Sequence, residues 1–122
     1  MTKNTLYQYA LKRIRVVDGD TLEGDIDLGF GVMLSATKVR LSHINCPEKD
    51  TEAGKAAKAF AEQWVSRILD NKVDVIVLVK NHKKDKYGRI LGVVSGNGED
   101  LAQQLQMNGY AKEYEGVGEK PI

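Results

Sequence analysis

The stretch that decides the fold is TEAGKAAKAFAEQWVSRILDN, residues 51–71. Its apolar residues recur every three or four positions, which is the period of one face of an α-helix. Asp50 or Thr51 can cap the start of this helix, and Asp70-Asn71 marks its end. Phe60 and Trp64 lie on the apolar stripe, so we expect both rings in the core rather than stacked on a nucleic-acid base.

Strand-like segments precede and follow this helix. Three extended candidates come before it, over residues 6–17, 21–28 and 32–44, and two apolar, β-branched segments follow it, over residues 73–80 and 90–95. A second, shorter helix is predicted over residues 99–107, before Asn108-Gly109. Five strands with a long helix after the third predict a mainly β, α+β domain: a five-stranded Greek-key barrel of the OB-fold type with a short C-terminal helix.

Length and composition fit a single domain over residues 1–122. The chain is 42% apolar and 29% charged, which is typical of a globular protein and excludes a disordered or membrane-spanning chain. Lys and Arg number 18 against 17 Asp and Glu, so the net charge by itself indicates no polyanionic partner. The single cysteine, Cys46, excludes an intrachain disulfide and a cysteine-based zinc site.

The N-terminal segment, residues 1–15, contains no apolar run of signal-peptide length, and no later run is long enough to span a bilayer. We therefore expect no membrane partner and a cytoplasmic location, although a secreted protein that has lost its signal peptide would have the same sequence. We also expect a monomer.

Three short motifs carry chemistry that a fold alone does not need. They are Asp18-Gly19-Asp20-Thr21, the segment from Arg40 to Glu48, and Asp85-Lys86-Tyr87-Gly88-Arg89. Together they supply hard oxygen ligands, one further carboxylate and two arginines, which metal-assisted hydrolysis of a phosphodiester requires. Arginines can hold the phosphate oxygens through paired N–H groups, and a carboxylate near the metal can orient or deprotonate the attacking water.

Each motif alone also has an ordinary structural explanation. Asp18-Gly19-Asp20 is a common turn sequence, and Glu48 could be a surface acid near the first turn of the helix. Five cations within residues 80–89 concentrate any phosphate-binding surface there, but such a run is often a solvated loop. Tyr87 and Tyr114 could stack on bases or bond phosphate oxygens, and partly exposed packing is equally compatible with their positions.

The order Asp-Gly-Asp-Thr, then Arg-Leu followed by Pro-Glu, then Asp-Lys-Tyr-Gly-Arg resembles the staphylococcal nuclease (thermonuclease) family. The resemblance runs from Ile14 to Tyr114 and includes Asn108-Gly109-Tyr110-Ala111 after the second helix. It implies a calcium-dependent nuclease on an OB-fold, which cleaves DNA or RNA and leaves 3′-phosphate ends. Because backbone binding with sequence-tolerant stacking gives little base specificity, we expect flexible single strands as the preferred substrate.

Specific residues carry the roles that this resemblance implies. Asp20 matches a calcium ligand, Arg40 and Arg89 match the two phosphate-binding arginines, and Glu48 matches the carboxylate that acts on the attacking water, usually described as the general base. The catalytic candidates are therefore Arg40, Glu48 and Arg89. Cations of the basic loop and two tyrosines are the nucleic-acid-binding candidates, namely Lys84, Lys86, Tyr87 and Tyr114.

Two matched positions depart from the family, and one of the changes affects the charge of the expected calcium site. Where the family usually places a second calcium-ligating aspartate, this chain has Asn45, and Cys46 stands where a threonine usually offers its backbone carbonyl. Any residue supplies a carbonyl, but an amide in place of a carboxylate removes one negative charge, and calcium affinity depends on the charge of the ligands. We therefore expect Ca²⁺ to be held by Asp20, Asn45 and the Cys46 carbonyl, in a weakened site.

A second class of function stays open at this point. The chain could be an OB-fold nucleic-acid-binding module that has lost turnover, and Asn45 is the main argument for it. The joint presence of Asp20, Arg40, Glu48 and Arg89 favours the enzyme, because a binding module needs no water-activating carboxylate between two phosphate-binding arginines.

Overall fold

The computed structural model describes residues 7–114. In chain order its elements are β1 (Gln8–Asp18), β2 (Thr21–Gly29), β3 (Val32–Leu41), β4 (Ile44–Asn45), α1 (Glu52–Asp70), β5 (Val75–Asn81), β6 (Arg89–Gly96), β7 (Glu99–Asp100), α2 (Leu101–Met107) and β8 (Lys112–Glu113). This order confirms three strands, a long helix, two strands and a short helix. The predicted start of the first strand at Leu6 lies outside the described residues, as do both ends of the predicted domain.

Five of the strands form a closed barrel. Neighbouring strands pair antiparallel in the order β3, β2, β1, β5 and β6. The ring closes where β3 pairs with β6 in parallel, with Lys38 opposite Arg89 and Arg40 opposite Leu91. We call this parallel pairing of residues 38–41 with residues 89–92 the seam. The closed ring confirms the predicted OB-fold barrel.

Helix α1 packs its apolar stripe into the core. Thr51 is its N-cap and accepts a hydrogen bond from the Gly54 N–H at 3.0 Å, and Asn71 is its C-cap. Trp64 is 2% exposed, and its indole N–H donates to Glu99 at 2.9 Å, which confirms that this ring belongs to the core. Within residues 7–114 no helix has both the length and the apolar character needed to cross a bilayer.

The predicted end of the third strand is wrong. β3 ends at Leu41 rather than at residue 44, because the chain turns at Ser42 and His43, where His43 has a φ of 70°. Ile44 and Asn45 then leave the barrel and pair with β8 in a separate two-stranded sheet. The expected metal-ligand segment therefore lies on a short strand beside the barrel, and not on a barrel strand.

The predicted start of the second helix is also wrong. Glu99 and Asp100 are extended and pair with the end of β6, so α2 begins at Leu101. The Asp100 side chain accepts a hydrogen bond from the Gln103 N–H at 3.2 Å and thereby caps the helix. A two-residue strand that leads directly into a capped helix leaves no periodic pattern from which the boundary could be predicted.

Candidate active site

The turn between β1 and β2 places Asp20 against the segment that follows β3. A Cβ atom on Gly19 would lie 2.7 Å from the Ala57 Cβ and 2.8 Å from the Cys46 Sγ, so only glycine allows α1 to pack this closely on the turn. Asp20 is buried, and its Oδ2 accepts a hydrogen bond from the Cys46 N–H at 3.0 Å. Asp20 and Cys46, two of the predicted calcium ligands, are therefore in direct contact.

Asp18 adds a second acid to this turn, and it was not among the site residues predicted from the sequence. Its Oδ1 accepts a hydrogen bond from the Asp20 N–H at 3.2 Å. Burial raises the pKa of Asp18 to about 6, and the hydrogen bond to the Asp20 carboxyl and its charge act in the same direction. Two acids that flank a buried glycine were the available signal in the sequence.

Arg40, near the end of β3, reaches both expected metal-ligating side chains. Its Nη2 donates to the Asn45 Oδ1 at 2.5 Å and lies 3.7 Å from the Asp20 Oδ2, while its Nη1 donates to the Leu41 carbonyl at 2.7 Å. Only 12% of the Arg40 side chain and 6% of the Asp20 side chain are exposed. The structure thus brings Asp20, Arg40 and Asn45 into one buried cluster.

Asn45 is buried on β4, with its amide oxygen turned toward Arg40. Its Nδ2 is buried and has no hydrogen-bond partner among the described residues. β4 is held by β8, with Asn45 opposite Lys112, and the Tyr114 N–H donates to the His43 carbonyl at 2.8 Å. Tyr114 therefore follows the strand that pairs with the expected metal-ligand segment, and its contact with nucleic acid stays a prediction.

Glu48 is exposed, and its backbone is fixed at the start of α1. The Glu48 carbonyl accepts hydrogen bonds from the Thr51 N–H at 3.1 Å and from the Thr51 hydroxyl at 2.6 Å. A Cβ atom on Gly54 would lie 1.8 Å from the same carbonyl oxygen. The glycine in the first turn of α1 is therefore required for this position of Glu48, and nothing in the helical pattern of the sequence indicated it.

Arg89 begins β6 and is held by Asp85. Its Nε and Nη2 lie 3.0 and 2.9 Å from the Asp85 Oδ2, and the Asp85 Oδ1 accepts hydrogen bonds from the N–H groups of Tyr87 and Arg89. Burial favours the neutral form of the Asp85 carboxyl, but these hydrogen bonds and the charge of Arg89 outweigh it, so its pKa lies below the usual value. This role of Asp85 was not predicted from the sequence.

The seam places Arg89 on the same face of the barrel as Arg40. Lys38 is the direct partner of Arg89, and Arg40 follows Lys38 by two residues, so all three side chains point to one side of the sheet. In each strand the intervening residue, Val39 or Ile90, is buried in the core. The two predicted phosphate-binding arginines are therefore diagonal neighbours across paired strands.

The basic loop before Arg89 is exposed. Lys84 and Lys86 lie in it, and Tyr87 is 64% exposed. The Tyr87 ring centroid lies 5.0 Å from the Arg89 Cζ and 5.3 Å from the Lys86 Nζ, both within cation–π range. The cation–π contact with Arg89 joins Tyr87 to the seam. Contact of the loop residues with nucleic acid stays a prediction.

The donor set fits a hard divalent cation. Asp20 offers a carboxylate, Asn45 an amide oxygen and Cys46 a backbone carbonyl, and oxygen donors of these kinds are the ones that Ca²⁺ takes. Within residues 7–114 no three His, Cys, Asp or Glu side chains form a metal-binding group. The proposed donor set therefore contains one carboxylate, that of Asp20, and two neutral oxygens.

Comparison with known proteins agrees with this architecture. The family model of staphylococcal nuclease homologues matches residues 38–121. The protein named Endonuclease YhcR of Bacillus subtilis (strain 168) is 32% identical over 108 residues, which cover 82% of this chain and 8% of that protein. An Escherichia coli protein named as an uncharacterized endonuclease is 33% identical over 112 residues, which cover 89% of this chain and 63% of that protein.

The chain thus spans less than two thirds of the length of either relative. The barrel and the residues at its seam define an OB-fold protein with adjoining candidate sites for a cation and a phosphate. The chain belongs to the family of staphylococcal nuclease homologues, which confirms the resemblance drawn from its three motifs.

Proposed function

We propose that this chain is a calcium-dependent phosphodiesterase that hydrolyses DNA or RNA, prefers flexible single strands and leaves 3′-phosphate ends. The observation that carries the proposal is the contact of Arg40 with both Asp20 and Asn45, on the same barrel face as Arg89. Oxygens suited to a cation thereby adjoin guanidinium groups suited to phosphate. Family membership and two relatives named as endonucleases support this reaction class.

Asp20, Asn45 and the Cys46 carbonyl would hold Ca²⁺. When bound there, the ion would stabilise the negative charge that gathers on the phosphate during attack. Arg40 and Arg89 would bind the non-bridging phosphate oxygens through paired N–H groups, and the Asp85 contact keeps the Arg89 guanidinium oriented. Since Asn45 lacks the charge of an aspartate, this site would need more calcium for half-occupancy than one with two carboxylates.

Glu48 would act on the attacking water. The water oxygen forms a bond to phosphorus, its proton passes to the Glu48 carboxylate, and the bond between phosphorus and the 5′ oxygen breaks. The phosphate stays on the 3′ side, and the departing 5′ oxygen takes a proton from solvent. The hydrogen bonds from Thr51 to the Glu48 carbonyl fix the backbone from which the carboxylate extends.

The basic loop and Tyr114, which follows β8, would bind the rest of the nucleic-acid strand. Lys84 and Lys86 contribute positive charge, and Tyr87 and Tyr114 offer rings on which any base can stack. None of these groups provides a fixed pattern of donors and acceptors for one base. Hydrolysis would accordingly show little sequence specificity.

A binding module without turnover is the second candidate. The observation that favours it is the Arg40 hydrogen bond to Asn45 at 2.5 Å, which uses a donor that the phosphate would need. In that case the chain would bind single strands through the basic loop and leave them intact.

The test is digestion of end-labelled single-stranded DNA and RNA with added Ca²⁺ or with a chelator, followed by identification of the product ends. We expect cleavage only with Ca²⁺ and products with 3′-phosphates. Arg40→Ala, Glu48→Gln and Arg89→Ala should each lower kcat about 100-fold, as expected for loss of one preorganised group. Glu52→Gln, which alters another exposed acid on the first turn of α1, is the matched control and should keep the rate. Binding without cleavage would favour the module.

A further inference from the structure

The guanidinium of Arg40 contacts the same side-chain oxygens of Asn45 and Asp20 that the proposed calcium site would use. Its Nη2 is 2.5 Å from the Asn45 Oδ1 and 3.7 Å from the Asp20 Oδ2. A 180° flip of the Asn45 amide would place an NH₂ group against the guanidinium, donor against donor, so the hydrogen-bond network fixes its oxygen toward Arg40. Asn45 keeps this contact although its own Nδ2 is left buried and without a partner among residues 7–114.

A divalent cation and the guanidinium cannot use these oxygens together without strong repulsion. Calcium binds oxygen at about 2.3–2.6 Å. An ion on the Asn45 Oδ1 would therefore lie within about 5 Å of the Arg40 Nη2, which is at hydrogen-bond distance from the same atom. Only 12% of the Arg40 side chain is exposed, so water screens little of the repulsion between the two positive groups.

We propose that Arg40 is the internal counter-ion of this site: its guanidinium and a divalent cation bind the Asn45 and Asp20 oxygens alternately. The inference rests on the calcium site of the proposed function. The Nη1 contact with the Leu41 carbonyl involves no metal-ligating atom, so it can persist as a pivot while Nη2 turns away. Cation binding then frees one N–H edge of Arg40 for the phosphate, which couples metal uptake to substrate binding.

Asn45 suits such an exchange better than an aspartate would. A carboxylate at position 45 would attract the guanidinium and the divalent cation more strongly, and it would form an ion pair with Arg40 that the metal has to break. The neutral amide weakens both competing interactions. The departure from the family pattern thus lowers calcium affinity and at the same time keeps Arg40 releasable.

Calcium titration by calorimetry tests the exchange. The apparent dissociation constant equals the intrinsic one divided by the fraction of molecules in which the guanidinium is off the oxygens, so Arg40→Gln should bind Ca²⁺ about tenfold more tightly than the wild type. Arg89→Gln is the matched control, because it removes the same charge from the same face but from a side chain held by Asp85. It should change calcium affinity by about twofold at most at moderate salt.

Nitrogen-15 NMR of the arginine side chains tests the same exchange in the unaltered protein, whether or not Arg40→Gln folds. Without Ca²⁺ the Arg40 Nη groups are held by Asn45 and Leu41, so their rotation should be slow and their signals resolved. Added Ca²⁺ should release Nη2, shift its signal and accelerate the rotation. The Nη signals of Arg89 should stay unchanged.

The outcomes separate this inference from the function on which it rests. Unchanged or weaker Ca²⁺ binding by folded Arg40→Gln would overturn the exchange and leave the calcium site intact. An equal gain in Arg89→Gln would also overturn it, because the effect would then be one of general charge. Absence of Ca²⁺ binding in the wild type and in Arg40→Gln would overturn the calcium site itself. Tighter binding in Arg40→Gln alone, with the NMR change at Arg40, supports the exchange.

Discussion

Replacing Gly54 by alanine should have two opposite effects on the stability of the protein. Alanine favours a helix over glycine by up to about 1 kcal/mol, so propensity alone predicts a more stable protein. However, the new Cβ would lie 1.8 Å from the Glu48 carbonyl oxygen and 2.6 Å from the Glu48 carbonyl carbon. Both are backbone atoms, so no side-chain rotation relieves the contact. We expect the steric contact to outweigh the gain in helix propensity, so Gly54→Ala should be less stable than the wild type.

The size of the effect follows from the distance. Non-bonded atoms in proteins pack at about 3.5 Å, so the Glu48 backbone or the first turn of α1 must move by more than about 1 Å. Strain of this kind costs about 1–3 kcal/mol, which exceeds the gain in propensity. A displacement of about 1 Å at a reacting group lowers the rate about 100-fold. Gly54→Ala should therefore lose activity out of proportion to its loss of stability.

The assay compares kcat on single-stranded DNA at saturating Ca²⁺ with the thermal midpoint. Ala56→Gly, an exposed position of the same helix, is the control for propensity and should cost about 0.5–1 kcal/mol with the rate unchanged. If Gly54→Ala acts by moving Glu48, adding it to Glu48→Ala should lower the rate no further. A Gly54→Ala protein that is more stable than the wild type and equally active would refute the close approach of Glu48 to α1.

Two further predictions concern stability. Because burial and the neighbouring Asp20 raise the pKa of Asp18 to about 6 from 3.8, the folded chain keeps a proton that the unfolded chain has lost, and the free energy of unfolding should fall as pH rises across that range. Asp18→Asn should abolish this fall, and denaturant midpoints in chelator from about pH 4 to about pH 7 measure it; an identical pH dependence in both proteins would contradict the raised pKa. Trp64→Ala should lower the free energy of unfolding by about 3–5 kcal/mol, and Trp64→Phe by much less. Urea midpoints beside single-strand affinity decide this, since unchanged stability with weakened binding would make Trp64 a base-stacking residue.

The fold could be predicted from the sequence where local patterns and tertiary packing agree. The apolar stripe of α1 and its cap at Thr51 were predictable because period and capping chemistry are local. The end of β3 was not predictable, because it depends on the positive φ of His43 and on the pairing of β4 with β8, in which Asn45 and Lys112 are 67 positions apart. A contact of this separation leaves no mark on the local pattern.

The candidate site divides in the same way. The motifs predicted which residues belong to the candidate site, and the structure brings three of them, Asp20, Arg40 and Asn45, into contact. The direction of the Arg40 guanidinium was not predictable, since it depends on side-chain hydrogen bonds between β3 and β4. The requirement for Gly54 was not predictable either, because the helical pattern of an alanine-rich segment does not distinguish a glycine that is needed for packing from any other small residue.

Under the proposed function, the seam also determines when the phosphate site can be assembled during synthesis of the chain. Arg40 and Arg89 come together only where β3 meets β6, about fifty positions further along the chain, and closing a loop of that length costs conformational entropy before the contact forms. The residues of β1, β2, β3 and α1 are synthesised before those of β6, so a growing chain at that stage contains one of the two proposed phosphate-binding arginines without the other. If the proposed function is right, hydrolysis would depend on barrel closure, and a chain in which β3 has not yet paired with β6 would lack the assembled phosphate site.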